Sequence, residues 1–373
     1  MKIQTLEAIP LAYPEPNDFG ALRYICLVKM VSDDGQIGWG EAITQFAEAN
    51  IAAARLIEGM AEIVIGKDPV KSESIWRSLK DRAWWYGYSG GIASNAIAAI
   101  DIAVWDLKGK SLGRSVLDLL GGSVHDRIAA IASSHAHHSS IPAMAQEAQE
   151  WLSTGLQGMK VGFGKRGDAR LGYDRERDVA YVKAMRESIG PKKLMIDLGI
   201  KIKWDVPTAI TRIRDFEAYG VDWVEEPLGA WDPEGYRRLC ANVATAIAYG
   251  EKEWTLSGCE QVLATGTCDV LGVDPGRAEG ITGFKKVADR VEAYGRQLNA
   301  HAWSSAIVTA ASLAVSFSTP AAKVFELKPL RNPMQHELVE VPFDHIDGWM
   351  YPPDQFPGLG VTVIEDVVAR YRQ

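Results

Sequence analysis

Eight short apolar runs, each followed by an amphipathic helical pattern, occupy the middle of the chain and leave few folds open to it. They lie at residues 128–132, 157–161, 194–196, 221–224, 246–249, 270–273, 297–300 and 322–325. Strand-length runs alternating with helices read as βα units carrying a parallel sheet. The punctuation agrees. Asp232 offers a helix N-cap followed by Pro233 at the first helical position, Thr282 caps the segment from Phe284 onward, and Gly220 sits where a helix should end. Eight such units in about 205 residues fit a modified (β/α)₈ barrel of the TIM type. Periodicity alone also allows an open doubly wound sheet, but no GxGxxG follows the first strand.

The flanks complete an α/β barrel with an α+β capping domain. Residues 1–125 hold a hairpin, with strands at 23–31 and 36–41 joined through Asp33-Asp34-Gly35, and then helices at 51–65 and 94–108. Residues 126–330 form the barrel. Residues 331–373 are too few for a core of their own and are expected to pack back on the cap. A length of 373 residues suits this division.

The longest nearly apolar stretch, 306–317, is shorter than the roughly 20 residues a bilayer requires and reads as a buried helix. No signal-peptide core opens the sequence. Cys26, Cys240, Cys259 and Cys268 show no CxxC pairing, which points to reduced thiols and a cytoplasmic protein. A net charge of −8 argues against a nucleic-acid surface. It also means that an anionic substrate would need a local source of positive charge.

In barrels of this kind the active site is built at the C-terminal ends of the strands. Read in order, those ends carry His135, Lys160, Asp197, Glu225, Glu251, Asp274, His301 and Glu326. From Lys160 onward the spacings are 37, 28, 26, 23, 27 and 25 residues, one βα unit each. Asp197, Glu225 and Glu251 would converge three carboxylates on one point, where repulsion calls for a divalent cation; each could instead cap a neighbouring helix. Oxygen-only ligation suits Mg²⁺. Asp274 and His301 end adjacent strands, so the carboxylate could hold one ring nitrogen and leave the other as a base with a raised pKa. Glu326 could be a protonated hydrogen-bond donor to an oxyanion, or a salt-bridge partner of Lys328.

With these residues in place, the chain resembles the enolase superfamily, in the subgroup of mandelate racemase and muconate lactonizing enzyme, over essentially its full length. Gly38-Trp39-Gly40-Glu41 resembles the GWGE of the cap, 100–110 its DIAxWDxxGK helix, and Leu119-Leu120-Gly121-Gly122 the LLGG entering the barrel. Val224-Glu225-Glu226-Pro227 resembles the metal-ligand strand, 274–283 the DxxxxxGxTG pattern, and Pro357-Gly358-Leu359-Gly360 the terminal PGLG. The resemblance implies abstraction of a proton α to a carboxylate. Asp197, Glu225 and Glu251 would be the metal ligands, His301 the base oriented by Asp274, and Glu326 a contact to the substrate carboxylate. Lys160 would stand as the first Lys of a KxK pair and steady the developing enolate.

Two positions depart from that pattern. Gly162 replaces the second Lys, the base of the opposite face, although a two-residue deletion would make Lys160 that second Lys. Gly199 stands where an Asn follows the first ligand. The expected function is dehydration of an acid sugar to a 2-keto-3-deoxy acid by a Mg²⁺-dependent lyase. A single base, His301, would serve both halves of a syn elimination. An isomerase of a related acid or lactone is the alternative, and a non-catalytic binding barrel a further one. Substrate contacts are expected from the cap loops, through Phe19 in 17–22 and Trp85 and Tyr86 in 84–88, unless that aromatic run is a core or subunit contact, and from His135, which with His137 could meet sugar hydroxyls or lie in a solvated loop. The partners expected are a small carboxylate and further copies of the chain in an even-numbered homo-oligomer such as an octamer, with no nucleic acid or membrane.

Overall fold

The computed structural model describes residues 1–164, 168–199, 201–230, 232–301 and 303–373. The N-terminal part is a three-stranded antiparallel sheet, β1 (Ile3–Glu15), β2 (Ala21–Ser32) and β3 (Ile37–Ile43), in that order. Three helices follow: α1 (Ala47–Val64), α2 (Ser72–Ala83) and α3 (Ile92–Leu112). The expected hairpin is β2–β3, with Gly35 at φ 83° in its turn. β1 contains Pro10 and Pro14, which a strand tolerates at the edge of a sheet, its position here.

The small residues of β3 have a steric cause. A Cβ on Gly40 would fall 1.9 Å from the Ala99 carbonyl oxygen, and one on Gly38 2.5 Å from Leu107. Helix α3 can press onto the sheet only because both side chains are absent. It is buried on nearly every side, not along one stripe.

The C-terminal part is a barrel-like domain. Eight parallel strands follow: β4 (Ile128–His135), β5 (Gly158–Gly162), β6 (Lys193–Asp197), β7 (Trp223–Glu225), β8 (Ala246–Tyr249), β9 (Val270–Val273), β10 (Gln297–Ala300) and β11 (Val324–Leu327). They pair in the order β10-β9-β8-β7-β6-β5-β4-β11, and β12 (Trp349–Met350) adds to β4 antiparallel. The sheet curls, and an isolated parallel bridge between Leu298 and Ala322 links its two ends, consistent with a TIM-type barrel. Ala129, Ile131, Met195, Trp223, Ala248, Val270 and Val324 pack together as one buried cluster. The first strand runs on to His135, past its expected end at 132, because the backbone of Ser133 and Ser134 still pairs with β5.

Asp232 caps its helix as expected, accepting from the Gly235 amide at 2.8 Å. Thr282 does not cap: its helix begins at Gly280, and the threonine hydroxyl and amide instead donate to Asp101 at 2.7 and 2.8 Å. The four cysteines are free. Among the described residues no helix is long and apolar enough to cross a membrane.

Candidate active site

His135, Gly162, Asp197 and Glu225 are successive register partners across β4, β5, β6 and β7, so they lie in one row at the sheet's C-terminal rim. Lys160, two residues before Gly162 on β5, projects from the same face. It is 4% exposed. Its Nζ lies 3.0 Å from both carboxylate oxygens of Glu225, 3.0 Å from Glu326 and 3.5 Å from Asp197. Burial opposes the charge, but Glu225, Glu326 and Asp197 outweigh it and raise the lysine pKa well above its ordinary value. Glu225 is pushed well above the usual carboxylate range by burial, with Asp197, Glu326 and Glu251 adding to the push against the pull of Lys160. One ammonium is too little for these acids.

Asp274 and His301 follow directly on the ends of β9 and β10, which pair Val273 with Ala300. Asp274 Oδ2 lies 2.7 Å from His301 Nδ1, and its other oxygen accepts from the Gly276 amide at 2.7 Å. The second ring nitrogen faces Glu251 at 3.8 Å, beyond hydrogen-bond range. The expected carboxylate–imidazole pair is thus present in geometry.

Glu251 differs from expectation. Its side chain turns to Arg277, which donates at 3.0 Å to Oε1 and at 3.1 Å to the backbone oxygen. Asp197, Glu225 and Glu251 therefore do not meet at a point. Among the described residues, the cluster whose ligand atoms all lie within 4.8 Å of one another is His137, His138 and Glu147, just past the end of β4. Glu226 pairs with Lys252, while Lys203 reaches the carbonyls of Gly199 and Glu226. Burial foremost, and Lys252 next, lower the Lys203 pKa.

Glu326 also departs from the sequence reading. Lys328 pairs not with it but with buried Glu15, at 2.6 Å. Glu326 Oε1 accepts from Asn299 at 2.6 Å and lies beside Lys160, which makes it an acceptor there. Its Oε2 is buried without a hydrogen-bond partner.

A cavity of about 380 Å³ gathers these groups: Lys160, Asp197, Glu251, His301 and Glu326 from the barrel side, with His135 and Trp303. Arg23, residues 43–46 at the end of β3 and Asn95 of α3 close it from the cap. Phe19, Trp85 and Tyr86 do not line it. Phe19 meets the His137 ring at 4.9 Å and a tilt of 59° beside a smaller groove. Trp85 is 83% exposed and Tyr86 45%, on the segment after α2. His137 does not join His135 in the cavity, because β4 stops at His135. Arg23 and Arg277 were not legible as site residues. Arg23 sits over the Trp303 ring at 4.6 Å, a contact between distant segments that no local pattern announces.

A capped barrel-like sheet with acids at successive strand ends and a His–Asp pair facing them defines a recognisable class. Residues 143–367 match the enolase C-terminal domain-like family, and 20–121 the mandelate racemase / muconate lactonizing enzyme N-terminal domain. The chain belongs to the mandelate racemase / muconate lactonizing enzyme family. It is 31% identical over 360 residues to the D-galactonate dehydratase of Xanthomonas euvesicatoria pv. vesicatoria (strain 85-10), covering 94% of this chain and 91% of the relative. It is 29% identical over 360 residues to the D-galactarolactone cycloisomerase of Agrobacterium fabrum (strain C58 / ATCC 33970), covering 93% and 90%. A racemase of Streptomyces coelicolor A3(2), solved with bound magnesium, superposes with a TM-score of 0.88 at 26% identity over the whole of both chains.

Proposed function

We propose that the protein is a Mg²⁺-dependent lyase that removes the proton α to the carboxylate of an acid sugar and eliminates water to give a 2-keto-3-deoxy acid. The observation that carries this reading is the pairing, in one cavity, of an under-neutralised carboxylate row with a held imidazole. The donors fit a hard divalent cation: all are oxygens, and burial with neighbouring acids has pushed Glu225 in the direction a cation would reverse. Asp197, Glu225 and Glu251 would hold it, with Glu251 drawn from Arg277. When bound, Mg²⁺ supplies positive charge beside the substrate carboxylate as negative charge builds there.

The chain's own residues supply the rest. Asp274 fixes His301 through Nδ1, and Nε2 takes the proton from C2. Lys160, kept charged by its acids, donates to the developing oxyanion, which supports its reading as the first lysine of the pair and not as a base. Glu326, whose Oε2 has no hydrogen-bond partner and which lines the cavity, is placed to contact the bound acid. A cycloisomerase acting on a lactone is the second reading, favoured by the Agrobacterium relative's match over nearly the full chain.

The proposal includes a closed (β/α)₈ barrel over 126–330, a cap over 1–125 and a tail over 331–373 that packs on the cap. Three contacts support the tail's placement: the Gln373 amide to the Pro10 carbonyl at 3.0 Å, Lys29 to Glu365 at 2.6 Å, and Arg372 to Glu7 at 2.8 Å. It also includes a cytoplasmic location and an even-numbered homo-oligomer, for which the free thiols and the family resemblance respectively speak.

The test is a panel of mono- and diacid sugars with Mg²⁺, followed by substrate loss and 2-keto acid formation. His301→Asn should abolish exchange of the C2 proton with D₂O while the acid still binds. Metal binding by calorimetry with no turnover of any acid would instead favour a binding barrel.

A further inference from the structure

Gly162 is not an empty position. A Cβ built on it would lie 2.4 Å from His135 Nδ1 and 3.2 Å from the ring's Cε1. Its backbone is not left-handed, so conformation does not demand glycine there. What excludes a side chain is the imidazole itself, which leans from the end of β4 over the end of β5. His135 and Gly162 are register partners, and the row continues to Asp197 and Glu225. Position 162 also shares the face of Lys160. The ring thus stands at the height of the proposed metal ligands and lines the same cavity as His301.

The two imidazoles approach from different sides. His301 follows β10, and the space over β5 is separated from it by β6 to β9 in one direction and by β4 and β11 in the other. An acid sugar held between them has one imidazole on each side. Trp303 backs the His135 ring at 4.9 Å and 48°, which fixes its plane.

The geometry points to His135 as the second acid–base group of this site, protonating the oxygen that leaves the β-carbon while His301 takes the α-proton. This rests on the proposed α-proton abstraction and changes its stereochemical course. His301 Nε2 accepts the C2 proton, and the C–H electron pair moves toward the carboxylate. That pair then forms the C2–C3 double bond as the C3–O bond breaks. His135, as imidazolium, gives its proton to the departing oxygen, which leaves as water. His135 is left neutral and His301 charged, and solvent resets both. With a ring ether the departing oxygen remains tethered as a hydroxyl, and with a lactone as a carboxylic acid, so the same pair would serve the cycloisomerase reading. Base and acid on opposite sides give an anti elimination, in place of the syn course that one base would impose.

His135→Asn and Gly162→Ala test this with D-galactonate and D-galactarolactone in D₂O, followed by NMR at the carbon α to the free carboxylate. His135→Asn keeps a polar side chain but has no proton to relay. Product formation should fall by roughly 100-fold or more, the usual weight of a general acid, while C2 exchange stays within about threefold of wild type. Gly162→Ala should show the same split, because its methyl displaces the ring. Imidazole in the buffer should restore part of the turnover of His135→Ala. Product formation by His135→Asn within about threefold of wild type would overturn the inference. So would an equal fall in exchange and product, which would leave His135 only a positioning contact of Trp303. A wild-type enzyme that neither exchanges nor consumes any acid of the panel would overturn the proposed reaction itself, and this inference with it.

Discussion

Buried acids occur in two regions of this molecule, and their surroundings differ. Where the cap meets the barrel and the tail, Asp106 accepts from the Trp39 amide (2.9 Å), the Leu359 amide (2.9 Å) and Lys110 (2.8 Å). Asp101 accepts from the amide and hydroxyl of Thr282, and Glu41 from the hydroxyls of Ser304 and Ser305. Each acid there has its own donors. At the rim, Asp197, Glu225 and Glu326 each accept from a neutral donor (the Gly199 amide, Trp223 and Asn299), but for positive charge they crowd a single ammonium. A carboxylate matched by its own donors holds structure together, whereas a set that shares too little positive charge is arranged to receive more. The recognisable motifs divide along this line: Gly38–Glu41, 100–110 and 357–360 serve the junction, and the strand ends serve the chemistry.

Glu225→Gln tests the difference most severely. Turnover should fall beyond the roughly 100-fold seen when supporting residues of metal sites are lost, and Mg²⁺ affinity by calorimetry should fall with it. The melting temperature should hold or rise, because one of several crowded charges is gone. A protein that unfolds instead would place Glu225 with the junction acids.

Asp106→Ala should do the reverse. It strands two buried amides and the Lys110 ammonium, and the loss should be about 3 kcal/mol by urea denaturation. Turnover per folded molecule should be unchanged, and a large fall in kcat without loss of stability would blur the division.

The smallest effect is a pH slope. Burial raises the Asp101 pKa to about 7, with the Thr282 donors opposing it. The folded state then holds a proton that the unfolded chain releases near pH 4. That stabilisation is complete at low pH and is lost as pH rises toward 7. Asp101→Asn has no such proton, so its melting temperature should decline less than that of wild type between pH 4.5 and 7.5. Parallel curves would assign the slope to another group.

The eight barrel strands were legible because each is a short apolar run between helices, and their ends announced the rim by spacing alone. β1 was not, since Pro10 and Pro14 suit only an edge, and being an edge is a property of the assembled sheet. α2 was missed because its Ser-, Lys- and Arg-rich sequence buries only Ser72, Ile75, Leu79 and Ala83. At the site, acids and histidine could be read one strand at a time. The turn of Glu251 toward Arg277, and the overlap of His135 with the space above Gly162, depend on neighbours from other strands. Gly162 looks like a loss in sequence because a glycine records only that something is absent.

Glu41 reaches from β3 to the two serines that lie just past His301. Cap and barrel are therefore not interchangeable modules. A chimera that joined this barrel to a relative's cap would carry the base without its brace unless the Glu41 and Ser304-Ser305 pairing came across together. Lys328, which binds Glu15 of β1 and the Ser304 carbonyl, extends the same rule to a third segment. New substrate preferences are then most freely gained by changing residues 44–46, which line the cavity that holds His301, and not by swapping the cap whole.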